Sequence, residues 1–166
     1  MNNSSKLLLV TGVGPGTGSA IVRYFASHGY RVAMMARNEK RLQELVKMIP
    51  GTSAFPCDVT DIDRLTTQLS LIEQDHGSPD VLIHNAVGGA FGSFMDIEQA
   101  VLERNFQVNT MALLHLARWL GPAMIERGSG SILATGNTSA YRGKAGFAGF
   151  APTKAAQRIL LESMAR

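Results

Sequence analysis

Thr11-Gly12-Val13-Gly14-Pro15-Gly16-Thr17-Gly18 follows without a break on the apolar run Leu7 to Val10. A short apolar run that ends in glycines reads as a buried strand, here Lys6 to Thr11. Beyond the loop, Ile21, Val22, Phe25 and Ala26 recur at helical spacing from Thr17 to His28, and Gly29 closes that helix. Strand, glycine loop and helix in direct succession aim the free N–H groups and positive dipole end of the helix at the loop, where they attract an anion. Some glycines in such a loop supply positive φ. Others let a phosphate approach the backbone with no Cβ in the way.

The same alternation continues outward. Arg31 to Ala36 reads as a second strand. Asn38 caps a helix through about Ile49, which Pro50-Gly51 stops. Thr52 to Cys57 is a third strand, and Asp61 caps a helix to about His76, ended by Gly77 and Pro79. Val81 to His84 is a fourth strand, followed by one long helix from about Glu98 to Glu126. Ser131 to Thr135 is a fifth strand and roughly Phe150 to Arg166 a last helix. Strands that alternate with helices imply a parallel sheet covered on both faces: an α/β, Rossmann-type, doubly wound, three-layer fold in a single domain, residues 1–166. The pattern Ala155 to Met164 is still helical at the end of the chain, and no later strand follows the fifth. The expectation is therefore a fold that continues past Arg166.

Composition narrows the class. The 166 residues are 45% hydrophobic and 17% charged, enough apolar material for one globular core. A net charge of +3, with the basic residues scattered, gives no basis for nucleic acid or membrane as partner. Cys57 is the single cysteine, so no intrachain disulfide forms, and a reducing, cytoplasmic location is expected. Its reading is a small buried hydrophobe. The opening Met1 to Lys6 leads into only four apolar residues, too few for a signal peptide, and no run approaches a membrane span. His28, His76, His84 and His115 lack metal-ligand spacing, so no metal is expected.

Gly12, Gly16 and Gly18, with Thr11 in front, are spaced Gly-x-x-x-Gly-x-Gly, and this resembles the short-chain dehydrogenase/reductase family. Asp58-Val59 after the third strand, Asn85-Ala86 with Val87 after the fourth, Asn109 in the long helix and Lys154 at the start of the last helix fall in the family's register. The resemblance implies a nicotinamide dinucleotide held by Thr11, Gly12, Gly14, Pro15, Gly16, Thr17 and Gly18. Asp58 and Val59 would lie at the adenine, with Asn85, Ala86 and Val87 beyond and Lys154 on the nicotinamide ribose. It also implies a homodimer packed through the long helix and the last helix.

An acidic residue at the end of the second strand would bond a ribose 2′-hydroxyl and repel a 2′-phosphate. Here Ala36 is followed by Arg37 and Asn38, and a guanidinium binds phosphate through two bonds. NADP(H) is therefore expected ahead of NAD(H). The family's chemistry uses a tyrosine four residues before the lysine and a serine thirteen before the tyrosine. Those slots fall on Phe150 and Asn137. Phe150 has no proton to give, Asn137 can still donate a hydrogen bond to a carbonyl oxygen, and Tyr141 is the candidate substitute donor. Asn109 reads either as part of a proton path or as a satisfied core amide. Two functions stay open: an NADP(H)-dependent oxidoreductase acting on a small carbonyl or alcohol, and a non-catalytic NADP(H) sensor.

Overall fold

Leu7–Thr11 (β1) is buried at every residue, and the reason lies in its alternation. Leu7 and Leu9 point into one apolar layer, while Leu8 and Val10 point into the other. A strand covered on both faces carries no polar alternation, which is why it reads as one apolar run. The computed structural model describes residues 5–166; the opening residues 1–4 of the segment discussed above lie outside it.

Arg31–Ala36 (β2), Thr52–Pro56 (β3), Val81–His84 (β4) and Ser131–Ala134 (β5) join β1 in one parallel sheet of order β3-β2-β1-β4-β5. Thr17–Ser27 (α1) and Glu39–Met48 (α2) cover one face through Val22, Leu42 and Leu45. Ile62–His76 (α3) and Ala112–Arg127 (α5) cover the other through Leu65, Leu69, Ile72, Leu113, Leu116 and Leu120. Ala151–Met164 (α6) reaches this second layer through Leu160 and Leu161. The architecture is the doubly wound one that the alternation predicts. Strand order reverses between β1 and β4, and in open parallel sheets the crevice at that reversal receives ligands.

The expected caps are present. Asn38 Oδ1 accepts from the Arg41 N–H and Asp61 Oδ1 from the Arg64 N–H. The long helix differs from expectation. Gln99–Phe106 (α4) passes into α5 through a wider π-helical turn, Gln107–Met111, where the Ala112 N–H reaches back five residues to the Gln107 carbonyl. Side chains take up two carbonyls of this turn: Val108 O accepts from His84 Nε2 at 3.0 Å and Asn109 O from Gln157 Nε2 at 3.0 Å. The partners that make the turn possible come from β4 and α6, so the local sequence of the helix does not announce it.

Candidate active site

The glycines of the first loop divide into two physical classes. Gly12 has φ +73°, and a Cβ there would lie 2.3 Å from the Ala86 backbone nitrogen; at Gly18 it would lie 2.6 Å from the Gly12 carbonyl oxygen. These two are glycine because the chain itself leaves no room. A Cβ at Gly14 or Gly16 would meet no protein atom within 4 Å. Packing does not demand glycine there, and the space above them is open.

The start of α1 faces this space. No side chain caps the helix, and the Thr17 and Gly18 N–H groups have no backbone partner among the described residues. Two aligned, unpaired donors beside Cβ-free backbone form an open cradle that can receive an anion. Asn85 holds the loop in place, donating from Nδ2 to the Gly12 carbonyl at 2.7 Å, while Ala86 packs on Gly12. Thr11 stands behind the loop rather than on the cleft wall. It is fully buried, with its hydroxyl 2.8 Å from His84 Nδ1.

The cleft, of about 1360 Å³, runs from this loop in two directions. Toward β2 and β3 it is lined by Arg37, Asn38, Glu39, Arg41, Asp58 and Val59. Neither Arg37 nor Arg41 forms an ion pair among the described residues, so two free guanidinium groups stand at the end of β2. Asp58 accepts from the Thr60 N–H and hydroxyl, and Arg104 Nη2 meets its other oxygen at 2.9 Å. Burial pushes the Asp58 carboxyl upward, but these three bonds outweigh it and hold the group below its ordinary value. Cys57 also touches the cleft. It is buried as expected, and burial pushes its thiol up to about 11, so it stays an unreactive thiol.

Toward β4 and β5 the lining changes to Ala86–Gly89, Asn105, Thr135, Asn137, Phe150 and Lys154. Phe150 caps the start of α6, and its ring packs on Gly89, where a Cβ would come within 3.0 Å of the ring. Lys154 lies one turn on, 3% exposed. Its Nζ donates to Thr135 O at 2.8 Å and to Gln157 Oε1 at 2.5 Å. Burial lowers its pKa to about 8. Asn137 is exposed at the mouth. Its Oδ1 caps the turn Thr138–Ala140 by accepting from the Ser139 N–H, which leaves the amide NH2 toward solvent. Tyr141 is not brought into the cleft: it is 77% exposed and stacked under the Arg158 guanidinium. Pro15 and Gly16 are exposed on the loop crest. Val87 on this side is exposed, as is Phe91, whose ring meets those of Phe147 and Phe150.

Asn109 is fully buried and off the cleft surface. Its Oδ1 accepts from the Gly88 N–H at 2.9 Å, and its Nδ2 donates to Gly88 O and to Thr153 Oγ1, each at 2.7 Å. It therefore pins the Gly88 segment to α6. Sequence reading missed Arg41, Arg104, Asn105 and Gln157. Arg41 lies one helical turn after Arg37, a spacing visible in the sequence. The others matter through partners 44 to 48 residues away, for which the sequence carries no local signal.

His84 has no contact with solvent. A carbonyl can only accept, so Nε2 carries the proton toward Val108 O, and Nδ1 accepts from the Thr11 hydroxyl. Burial first, and then the nearby Lys154 charge, lower its pKa to about 4 against the Val108 bond, which favours the charged form. Between pH 6.5 and 4 the unfolded chain binds a proton that the folded chain refuses, so stability rises with pH across that window. The contribution is fully present above pH 6.5. A loss of about 3 kcal/mol is expected as pH falls to 4. Urea unfolding at pH 7, 5.5 and 4 measures it, and His84→Asn should flatten this component.

The parallel sheet with its cleft at the strand reversal, an open glycine loop at one strand end and a buried lysine two strands away, places the chain in the doubly wound α/β class. The model for short chain dehydrogenases matches residues 6–166, and the chain belongs to that family. It is 31% identical over 166 residues to carbonyl reductase [NADPH] 2 of Sus scrofa, covering 99% of this chain and 66% of the relative. A short-chain dehydrogenase structure from Streptomyces avermitilis superposes with a TM-score of 0.94 at 34% identity, over 99% of this chain and 61% of that one. L-sorbose reductase from Gluconobacter frateurii, solved with NADPH and L-sorbose, superposes at 0.90 with 26% identity, over 98% and 64%. The chain thus spans about three fifths to two thirds of the length of the curated relatives it matches.

Proposed function

We propose that residues 1–166 form the nucleotide-binding domain of an NADP(H)-dependent oxidoreductase that acts on a small carbonyl or alcohol. The observation that carries this reading is the pairing, in one cleft, of the open Gly14–Gly16 cradle with the buried Lys154 ammonium. The nicotinamide, when bound, supplies or accepts the hydride. The chain's own residues do the rest: Thr17 and Gly18 N–H groups hold the pyrophosphate, Asp58 and Val59 flank the adenine, and Arg37 and Arg41 take the 2′-phosphate. Asn137 offers its amide NH2 to the substrate oxygen, and Lys154 holds the ribose end. The reductases named above, one NADPH-dependent and one solved with NADPH, support the same cofactor and substrate class.

Calorimetric titration with NADPH and NADH tests the reading. NADPH is expected to bind at least tenfold more tightly. Arg37→Asp should reverse or abolish that preference, because it removes one charge-assisted partner and adds repulsion. Arg41→Ala should weaken NADPH by roughly tenfold and leave NADH unchanged. An unchanged ratio in both variants would remove the 2′-phosphate from this end of the cleft. NADPH binding without turnover of any activated ketone would instead favour a non-catalytic sensor. Two-fold self-association belongs to the same proposal: Val101, Ile125 and Ile159 are exposed apolar residues on α4, α5 and α6. Sedimentation at micromolar concentration is expected to show a dimer, and a clean monomer would contradict it.

A further inference from the structure

Phe150 leaves the substrate end of the cleft without the phenol that would protonate an alkoxide, so the proton must have another source. Six of the ionisable residues that line the cleft, Arg37, Glu39, Arg41, Cys57, Asp58 and Arg104, gather at the β2 and β3 end. Lys154 is tied to Thr135, just past β5. With strands roughly 4.8 Å apart, β2 and β5 are about 14 Å apart across the sheet. No group of the first cluster reaches a carbonyl positioned beside Phe150. Tyr141 faces solvent under Arg158, and Asn137 has only an amide. Among the described residues, Lys154 is the one ionisable residue on the wall of the cleft at this end.

We propose that Lys154 is itself the general acid of the reaction, and that Gln157 positions it. This rests on the reading of the cleft as a hydride-transfer site. As hydride leaves nicotinamide C4 for the carbonyl carbon, the carbonyl π pair moves onto oxygen, an N–H bond of Lys154 breaks and an O–H bond forms. Alcohol oxidation runs the same transfers in reverse. The hydrogen bonding of Nζ suits this exchange. Its two protein acceptors, Thr135 O and Gln157 Oε1, use two of the three ammonium protons. The third, directed into the cleft, is the one shared between the ribose hydroxyl and the substrate oxygen and passed to the latter. The neutral amine left after transfer still has two N–H groups for those same acceptors, so the protein contacts of the lysine survive in both protonation states. Water entering the open cleft restores the third proton.

Gln157 is fully enclosed, accepting from Nζ through Oε1 and donating through Nε2 to the Asn109 carbonyl in the π-helical turn. It anchors the ammonium without a counter-charge. Burial alone lowers Lys154, to about 8, and no carboxylate contributes. The titratable neighbour is His84 on β4, neutral in its buried site. An acid whose pKa lies near the working pH is best matched to proton transfer.

The test uses the full chain. Nitrogen-15 lysine NMR, with the Lys154 signal assigned by its loss in Lys154→Arg, is expected to show a midpoint near pH 8. Gln157→Glu should raise that midpoint by about one pH unit by setting a carboxylate against Nζ. At saturating NADPH, ketone reduction should fall about tenfold per unit above the midpoint and follow it upward in Gln157→Glu. Lys154→Arg keeps the charge but cannot release a proton in this range. It should lose about 100-fold or more in kcat. Adding Phe150→Tyr to that variant should recover at least about tenfold by supplying a phenol. A Lys154 midpoint near its ordinary value, a kcat profile that ignores Gln157→Glu, or Lys154→Arg turning over within threefold of the parent overturns the assignment. Those outcomes with NADPH binding and parent turnover intact leave the proposed function standing. Failure of the parent to bind NADPH, or to reduce any ketone, overturns both.

Discussion

Gly16→Val is expected to weaken NADPH binding by on the order of 100-fold or more, about 3 kcal/mol, while the chain stays folded. A Cβ there would meet no protein atom within 4 Å, so the loss comes from the volume the branched side chain takes from the phosphate. Gly12→Val is the contrasting control. Its Cβ would collide with the Ala86 backbone at 2.3 Å in a conformation of φ +73° that valine does not adopt, so this variant should fail to fold. Circular dichroism and calorimetry on the pair separate the two classes of glycine. A folded Gly16→Val that binds NADPH at parent strength would show that the cradle does not hold a phosphate.

Asn109→Leu is expected to destabilise the chain by about 3 to 5 kcal/mol. Leucine keeps the branched shape of asparagine but replaces the amide by larger apolar groups. The Gly88 N–H and carbonyl each lose their partner in a half-buried setting, and the site must also absorb extra volume. In a domain of this size that corresponds to a fall in Tm of roughly 10 °C. The segment Val87–Gly89 lines the cleft and packs on Phe150, so NADPH affinity should fall together with stability. Asn109→Asp keeps the acceptor for Gly88 N–H and loses the donors, and should fall between the two. Denaturant unfolding of the three proteins gives the order. Asn109→Leu unfolding like the parent would mean that Gly88 is not held by this amide.

The layered sheet was legible because burial on both faces leaves its mark on every strand: β1 and β2 are nearly uninterrupted apolar runs, and Asn38 and Asp61 cap the helices that follow β2 and β3. The location of the cleft was legible for the same reason, since a glycine loop directly after a first buried strand opens at the end of the sheet. What each residue does there was less so. Thr11 is a support for His84, and the four loop glycines look alike in sequence although two serve packing and two leave open space. The helix interruption at Gln107–Met111 had no periodic signature, because its carbonyls are satisfied by His84 and Gln157, 24 and 48 residues distant. Arg104 reads as one more exposed helix charge until β3 brings Asp58 to it.

The wide turn between α4 and α5 holds one residue more than a regular helix would spend on the same bonding. One residue of α-helix is about 100° of rotation, so α4 is turned by that amount relative to a straight continuation of α5. Leu113, Leu116 and Leu120 answer to the sheet, whereas Arg104 and Asn105 answer to Asp58 and the Gly149 carbonyl at the cleft. The turn lets these two demands be met by one rod with two independent phases. Deleting any single residue from 107 to 111 would make the rod regular and rotate Arg104 and Asn105 away from their partners, whichever side chain was lost. The number of residues in this turn is therefore constrained more tightly than their identities, and insertions or deletions here should be far less tolerated than substitutions at the exposed positions of the same helix.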